Sequence, residues 1–257
     1  MKLNYRKIGE GPPLIIIHGL FGMLDNWMTI ARKLSTNYSV YLVDQRNHGK
    51  SPHSDDFDYY LMAEDIEEMM DHWGLEEVHL LGHSMGGKTA MQFAVRNAAS
   101  VKSLVVVDIA PKDYPRGHDI IFEAFESVNL GALESRKQAE EQMSSVLDDK
   151  SVQLFLLKNL SRTEEEYVWR PNIAAIKEHY DNIIVNSLSP WESYDGPTLF
   201  VKGAKSERYI EEEDFPTLES FFPAYELVEL DAGHWVHAEK PEELVAILSE
   251  FLARVET

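Results

Sequence analysis

Ser84 is the residue of this chain best placed to act as a nucleophile. It stands in Gly82-His83-Ser84-Met85-Gly86-Gly87, after the apolar run Val78-His79-Leu80-Leu81 and before a helical stretch from about Gly86 to Arg96. A strand–serine–helix turn of this kind is strained, and the strain projects the hydroxyl into a site. Residues two before and two after the serine crowd the turn, so glycine suits both positions. The helix that follows aims its first N–H groups at the same place and favours negative charge there. A bare Gly-x-Ser-x-Gly arises by chance in about one chain in ten of this length. The strand before and the helix after make the pattern far more specific. The competing interpretation is a structural Gly-Ser turn without chemistry.

A serine nucleophile requires a base. Asp231-Ala232-Gly233-His234-Trp235 follows the last apolar run, Glu226 to Leu230, which gives the chain order serine, acid, histidine. His234 is the candidate base and His237 the alternative. With 10 histidines in the chain, one taken at random is structural, so position decides in favour of His234. The acid is more open. The loop Gly203-Ala204-Lys205-Ser206-Glu207-Arg208 lacks the aspartate that the commonest arrangement would place there, and Ser206 stands near that position. Asp108 ends the run Ser103 to Val107 at the same sheet edge. A carboxylate there could hold the far nitrogen of His234 and stabilise the imidazolium. Asp108 ranks before Glu207, and Glu207 before Asp231; a turn cap is the non-catalytic interpretation of Asp108.

Acyl transfer also needs donors for a developing oxyanion. The usual pair is the N–H after the nucleophile and one from the loop after the first buried strand. These are Met85 and, in His18-Gly19-Leu20-Phe21-Gly22, Leu20 with Phe21 as competitor. One such donor is worth roughly 3 kcal/mol of barrier. The same glycines could serve packing alone, and His18 suits pinning the loop better than chemistry.

Strands and helices must bring these residues together. Leu14 to Ile17, Val40 to Val43, Val78 to Leu81, Ser103 to Val107, Pro197 to Val201 and Glu226 to Leu230 read as strands. Helical stretches lie between them, from about Asp25 to Leu34, Tyr59 to Trp73 and Gly86 to Arg96, with a last one after Pro241. The stripe Leu61, Met62, Ile66, Met69, Met70 and Trp73, with acids elsewhere, marks an amphipathic helix. Alternation of this kind predicts an α/β fold, a mostly parallel central sheet with helices on both faces. The rhythm breaks from Pro111 to Trp191, where Leu133 to Val146 and Ser151 to Leu160 read as helices. Residues 111–191 are therefore expected to form a helical cap inserted in a core of residues 1–110 and 192–257. Such a cap would cover the C-terminal edge of the sheet, where ligands bind. Phe122, Phe125 and Phe155 could line an apolar acyl pocket or fill the cap's own core. Glu211-Glu212-Glu213-Asp214 reads as a solvated helix start.

Composition narrows the partners. The formal charge is −20, a field that repels phosphate backbones and anionic membrane surfaces, so neither nucleic acid nor membrane is expected. With no cysteine, disulfides, cysteine–zinc sites and thiolate nucleophiles are excluded. The apolar run Leu14 to Ile17 is too short for a signal core or a membrane span. A cytoplasmic protein with a small-molecule ester substrate is the expectation, and the chemistry needs no metal or organic cofactor.

Five segments taken together carry a resemblance. His18 to Gly22, Asp44-Gln45-Arg46-Asn47-His48-Gly49-Lys50-Ser51-Pro52, Gly82 to Lys88, Asp108-Ile109-Ala110-Pro111 and Ala232 to Pro241 occur in that order. The chain resembles the bacterial YbfF-type esterases of the α/β-hydrolase superfamily over nearly its whole length. The resemblance implies carboxylesterase activity on short acyl chains, with thioesters taken by some relatives. It implies that Asp108 is the acid and that Ser206 joins the histidine–aspartate pair as a fourth polar member. The chain departs from the family pattern at Ser206-Glu207-Arg208-Tyr209, one residue longer, which keeps Glu207 open. Asp44 to Pro52 reads as a structural loop beside the site, and Lys88 as a solvated or loop-bonding lysine. A thioesterase, a C–C bond hydrolase and a receptor without turnover are the other functions this fold could carry.

Overall fold

Alternate residues of an inner strand face opposite ways, and here both faces are apolar. Leu14 and Ile16 join one buried cluster, Ile15 and Ile17 another on the opposite side. That is the signature of a parallel strand covered on both sides. In the computed structural model, which describes residues 1–257, the strands are β1 (Tyr5–Ile8), β2 (Pro13–Ile17), β3 (Ser39–Val43), β4 (Val78–His83), β5 (Val101–Val107), β6 (Leu160–Arg162), β7 (Tyr167–Trp169), β8 (Thr198–Gly203) and β9 (Tyr225–Leu230). Seven of them form one sheet in the order β1-β3-β2-β4-β5-β8-β9. Only β1 runs antiparallel to its neighbour.

The helices are α1 (Met28–Leu34), α2 (Tyr59–Trp73), α3 (Met85–Arg96), α4 (Asp119–Glu126), α5 (Arg136–Met143), α6 (Lys150–Leu157), α7 (Ile173–Glu178), α8 (Tyr180–Ile184), α9 (Phe215–Phe221), α10 (Val236–Glu239) and α11 (Pro241–Val255). Helices α2, α3 and α9 cover one face of the sheet, α1 and α11 the other. Helix α11 shows the logic. Pro241 suits its first turn, and Leu244, Leu248, Phe251 and Leu252 are buried on one stripe. Each such side chain contributes about 1.5–3 kcal/mol of transfer free energy. Helix α2 starts where the Asp58 carboxylate accepts the Leu61 N–H and stops where Gly74 turns left-handed at φ 68°, the usual capping pair.

The segment between β5 and β8 adds no strand to the central sheet. It carries α4 to α8 and the antiparallel hairpin β6–β7. Its core continues into the main body: Phe122, Phe125, Leu156 and Tyr180 share a cluster with Phe21, Phe57, Met62 and Met85. This segment is thus packed directly onto the residues that flank Ser84.

Several sequence expectations shift. The helix expected over Leu133 to Val146 is shorter, Arg136–Met143, because the Ser135 hydroxyl caps it at the Gln138 N–H. The one expected over Ser151 to Leu160 runs Lys150–Leu157, capped by Asp149, and Leu160 instead pairs with Trp169. Asp25 to Leu34 is a 3-10 turn over Leu24–Trp27 followed by α1. Asp214 is not solvated but buried, held by Lys112 at 2.7 Å.

Candidate active site

Chain order in the sheet creates the site. From β2 the chain moves to one side, to β3, and β4 then lies on the other side of β2. Loops leaving β2 and β4 therefore diverge over a crevice at the C-terminal edge, where open α/β sheets bind ligands. His18 to Gly22 leaves β2, Ser84 leaves β4, Asp108 leaves β5, Ser206 leaves β8 and His234 leaves β9.

Ser84 sits at φ 53°, ψ −122°, a sparsely populated conformation that costs of order 1–3 kcal/mol. The turn has no room for side chains beside it. A Cβ on Gly82 would lie 2.1 Å from the Gly86 carbonyl oxygen, and one on Gly86 would lie 2.4 Å from the Ile17 carbonyl oxygen. The Ser84 N–H continues the sheet ladder to the Val107 carbonyl at 3.0 Å. The hydroxyl is thereby fixed in direction by the sheet on one side and by α3 on the other.

From Ser84 a chain of side-chain hydrogen bonds runs inward. Ser84 Oγ lies 3.0 Å from His234 Nε2, and His234 Nδ1 lies 2.7 Å from Asp108 Oδ2. The Ser206 hydroxyl donates to the same Oδ2 at 2.5 Å, and the Gly203 N–H donates to Oδ1 at 2.8 Å. Asp108 is wholly buried, at φ 52°. Burial pushes its carboxyl upward, opposed by the bonds from Ser206 and Gly203. Burial pushes His234 downward, with His118 and Arg208 adding to the effect. The imidazole is thus held neutral at rest, with Nδ1–H directed at Asp108 and Nε2 free to accept from Ser84.

The other candidate acids and base stand elsewhere. Asp231 pairs with Lys205 at 2.8 Å. Glu207 lines the cavity wall but is not the partner of His234 Nδ1. His237 stacks on Trp27, with ring centroids 4.5 Å apart, rather than reaching Ser84.

The first strand's loop is fixed by its own network. His18 Nε2 accepts the Gln45 N–H at 3.0 Å while Nδ1 donates to the Gly19 carbonyl. Burial pushes His18 down to about 4, consistent with a neutral ring that holds the loop. The Gln45 amide donates to the His18 carbonyl and accepts from the Thr89 hydroxyl of α3. This ties the loop after β2 to the helix after Ser84. The N–H groups of Leu20 and Phe21 have no backbone acceptor, and that of Met85 begins α3, where no intrahelical acceptor exists. Phe21 also takes a positive φ of 57°.

Three contacts were not foreseen. Tyr209 lies flat on His234, ring centroids 3.7 Å apart and planes within 12°. His83 Nε2 donates to the His234 carbonyl at 2.8 Å. The Asn159 amide, from the segment between β5 and β8, donates to the Phe21 carbonyl at 2.8 Å. Of the two alternatives for Lys88, solvated or loop-bonding, the structure has the second: the residue is buried and its ammonium donates to the carbonyls of Lys112 and Val185, each at 2.7 Å.

A cavity of about 590 Å³ opens over Ser84 and His234. Ile121, Val152, Phe155 and Leu156 form its apolar wall. Of the three phenylalanines considered for a pocket, only Phe155 lines it, packed 5.2 Å from Trp235; Phe122 and Phe125 fill the interior of the overlying segment. Leu20, Ser84, Gly117, His118, Arg208 and Tyr209 separate this cavity from a second, of about 50 Å³. No helix is long and apolar enough to cross a membrane.

Residues 12–241 match the family model of the alpha/beta hydrolase fold. The chain is 36% identical over 259 residues to esterase YbfF of Escherichia coli, covering 98% of this chain and 99% of that one. It is 36% identical over 255 residues to the sn-1-specific diacylglycerol lipase ABHD11 of Danio rerio, covering 95% of this chain and 79% of the relative. Among solved structures, a marine microorganism esterase superimposes with a TM-score of 0.94 at 42% identity, over 97% of this chain and 99% of that one.

Proposed function

We propose that this chain, which belongs to the α/β-hydrolase fold family and has esterase YbfF among its relatives, is a serine carboxylesterase acting on short-chain acyl esters. The observation that carries the reading is the continuous relay Ser84–His234–Asp108, with its members 3.0 and 2.7 Å apart, at the floor of an apolar-walled cavity. Relatives named as an esterase and a lipase support the same reaction type.

In this reading Ser84 Oγ attacks the ester carbonyl as its proton passes to His234 Nε2. The carbonyl oxygen, now negative, takes hydrogen bonds from the N–H groups of Met85 and Leu20. Asp108 holds the imidazolium through Nδ1–H, and Ser206 and Gly203 hold Asp108. His234 then gives its proton to the departing alcohol oxygen, leaving an acyl group on Ser84 Oγ. Water, deprotonated by the same Nε2, attacks the acyl carbonyl and releases the acid. Two short steps replace one difficult one, and the strain at Ser84 keeps Oγ aimed throughout.

The test is hydrolysis of p-nitrophenyl acetate, butyrate and octanoate by the wild type and by Ser84→Ala. Turnover that falls by several orders of magnitude in the variant, and that favours the shorter chains, is the expected result. Absence of turnover by folded wild-type protein would remove the esterase reading.

A further inference from the structure

Arg208 is a positive charge at the meeting point of the two cavities, and no carboxylate neutralises it. Its side chain lines both spaces beside Ser84. It forms no ion pair within 4.0 Å, whereas the other amino-acid cation of the larger cavity, Lys205, is matched by Asp231 at 2.8 Å. Glu207, next in sequence, lines only the larger cavity and makes no ion pair with Arg208. The histidines that line the site are held neutral by loss of solvent: His18 and the partly buried His118 are pushed down to about 4, His83 to about 3.

Arg208 is exposed to solvent where the two cavities meet. Its guanidinium lies against the backbone of Gly117, where an added Cβ would come 3.3 Å from Nη1. It also stands 5.4 Å from the Tyr209 ring centroid, and that ring lies on His234. Tyr209 thus neighbours both an uncompensated cation and the candidate base. Like charges repel, so Arg208 opposes the imidazolium that must form on His234. A neutral substrate leaves that opposition in place. A substrate carrying a carboxylate cancels it while bound.

We infer that the site selects esters bearing a second, ionised carboxylate, such as half-esters of short dicarboxylic acids, and that Arg208 binds that group. The planar guanidinium suits bidentate contact with a carboxylate. The chain's formal charge of −20 does not forbid it. At physiological ionic strength charges beyond about 8 Å are largely screened, so the nearby cation dominates once an anion is in the cavity. This inference rests on the ester-hydrolase reading and deepens it by naming the substrate class.

Two pairs of esters of matched shape test it. Monomethyl glutarate against methyl valerate places the charge on the acyl side; acetoxyacetate against propyl acetate places it on the alcohol side. Acid release is followed by pH-stat for the wild type, Arg208→Gln and Arg208→Lys, with melting temperatures to show that the variants fold. In at least one pair the wild type should prefer the charged ester by about tenfold or more in kcat/KM. Part of that preference should lie in kcat. Arg208→Gln should bring the ratio to one or below, and Arg208→Lys should keep part of it. A wild-type ratio at or below one in both pairs, or a ratio that survives Arg208→Gln, overturns the inference. Neutral p-nitrophenyl esters, turned over through Ser84 in the same preparation, keep that failure distinct from a failure of the esterase reading.

Discussion

The Ser206 hydroxyl stands 2.5 Å from Oδ2 of Asp108, the oxygen that also receives His234 Nδ1 at 2.7 Å. One oxygen thus serves two donors while the other takes the Gly203 N–H. A buried carboxylate deprived of a donor pays part of its desolvation, about 1–3 kcal/mol. Ser206→Ala should therefore raise the Asp108 pKa further and weaken its support of the imidazolium. We expect kcat to fall about tenfold or more, with KM little changed, since Ser206 touches Asp108 rather than the reacting atoms. Wild-type kcat in Ser206→Ala would make the serine a bystander.

Asp108 and Glu207 are separated by the same kind of measurement. Asparagine at position 108 would keep the shape but offer His234 the wrong hydrogen-bond partner. In the Ser-His-Asp enzymes such a change costs about 10⁴ in kcat. Asp108→Asn should lose three orders of magnitude or more, and Glu207→Gln less than about threefold on a neutral ester. The reverse ranking would move the acid to Glu207.

The pH profile follows from burial around His234. The ring must be neutral to accept the Ser84 proton, so activity is lost as pH falls through its pKa. Burial lowers that pKa from the ordinary 6.5. The neutral form therefore persists below pH 6.5, and the acid limb of kcat/KM on a neutral ester should have its midpoint below that value. A midpoint above 6.5 would mean that Asp108 outweighs the loss of solvent.

Much of this arrangement is legible in the sequence because it is local. The inner strands are apolar on both faces, Gly82 and Gly86 bracket Ser84, Asp108 follows directly on a strand, and His234 lies in the loop after the last one. What sequence hides is either weakly patterned or remote. Strand β1, Tyr-Arg-Lys-Ile, lies at the sheet edge with an exposed face and no apolar alternation. The three-residue strands β6 and β7 are shorter than any periodicity can register. Asn159 reaches Phe21 across 138 positions, and His83 reaches His234 across 151. Nothing near either residue in sequence announces those partners. Tyr209 is hidden for a different reason: stacking on His234 follows from the path of the loop after β8, not from the types of its neighbours.

Acyl-chain length should depend on Phe155. Its ring packs 5.2 Å from that of Trp235 and forms part of the cavity wall. Phe155→Ala removes a large wall group without touching Ser84, His234 or Asp108. The octanoate-to-butyrate ratio of kcat/KM should rise several-fold, with only a modest loss of stability because the ring is partly buried. An unchanged ratio would place the limit on chain length elsewhere in the cavity.

Lys88 offers the last prediction, and it concerns the joint rather than the chemistry. Its ammonium donates to the carbonyls of Lys112 and Val185 at 2.7 Å and of Ile184 at 3.4 Å. Those residues lie where the chain leaves the main sheet for the segment over the site and where it returns. One side chain on α3, the helix that follows Ser84, thus pins both crossings. Burial lowers the Lys88 pKa from 10.5 to about 7. Between these values the unfolded chain binds the proton more tightly than the folded one, so this residue makes stability rise with pH across pH 7 to 10.5, by at most about 1.4 kcal/mol per unit. Lys88→Met keeps the apolar stem but leaves the carbonyls unpaired. It should lower stability at pH 7 by about 1–3 kcal/mol and remove that share of the pH slope. Urea melts of both proteins from pH 7 to 10 provide the comparison. Parallel stability curves for wild type and variant would show that Lys88 carries its charge through the folded state unperturbed.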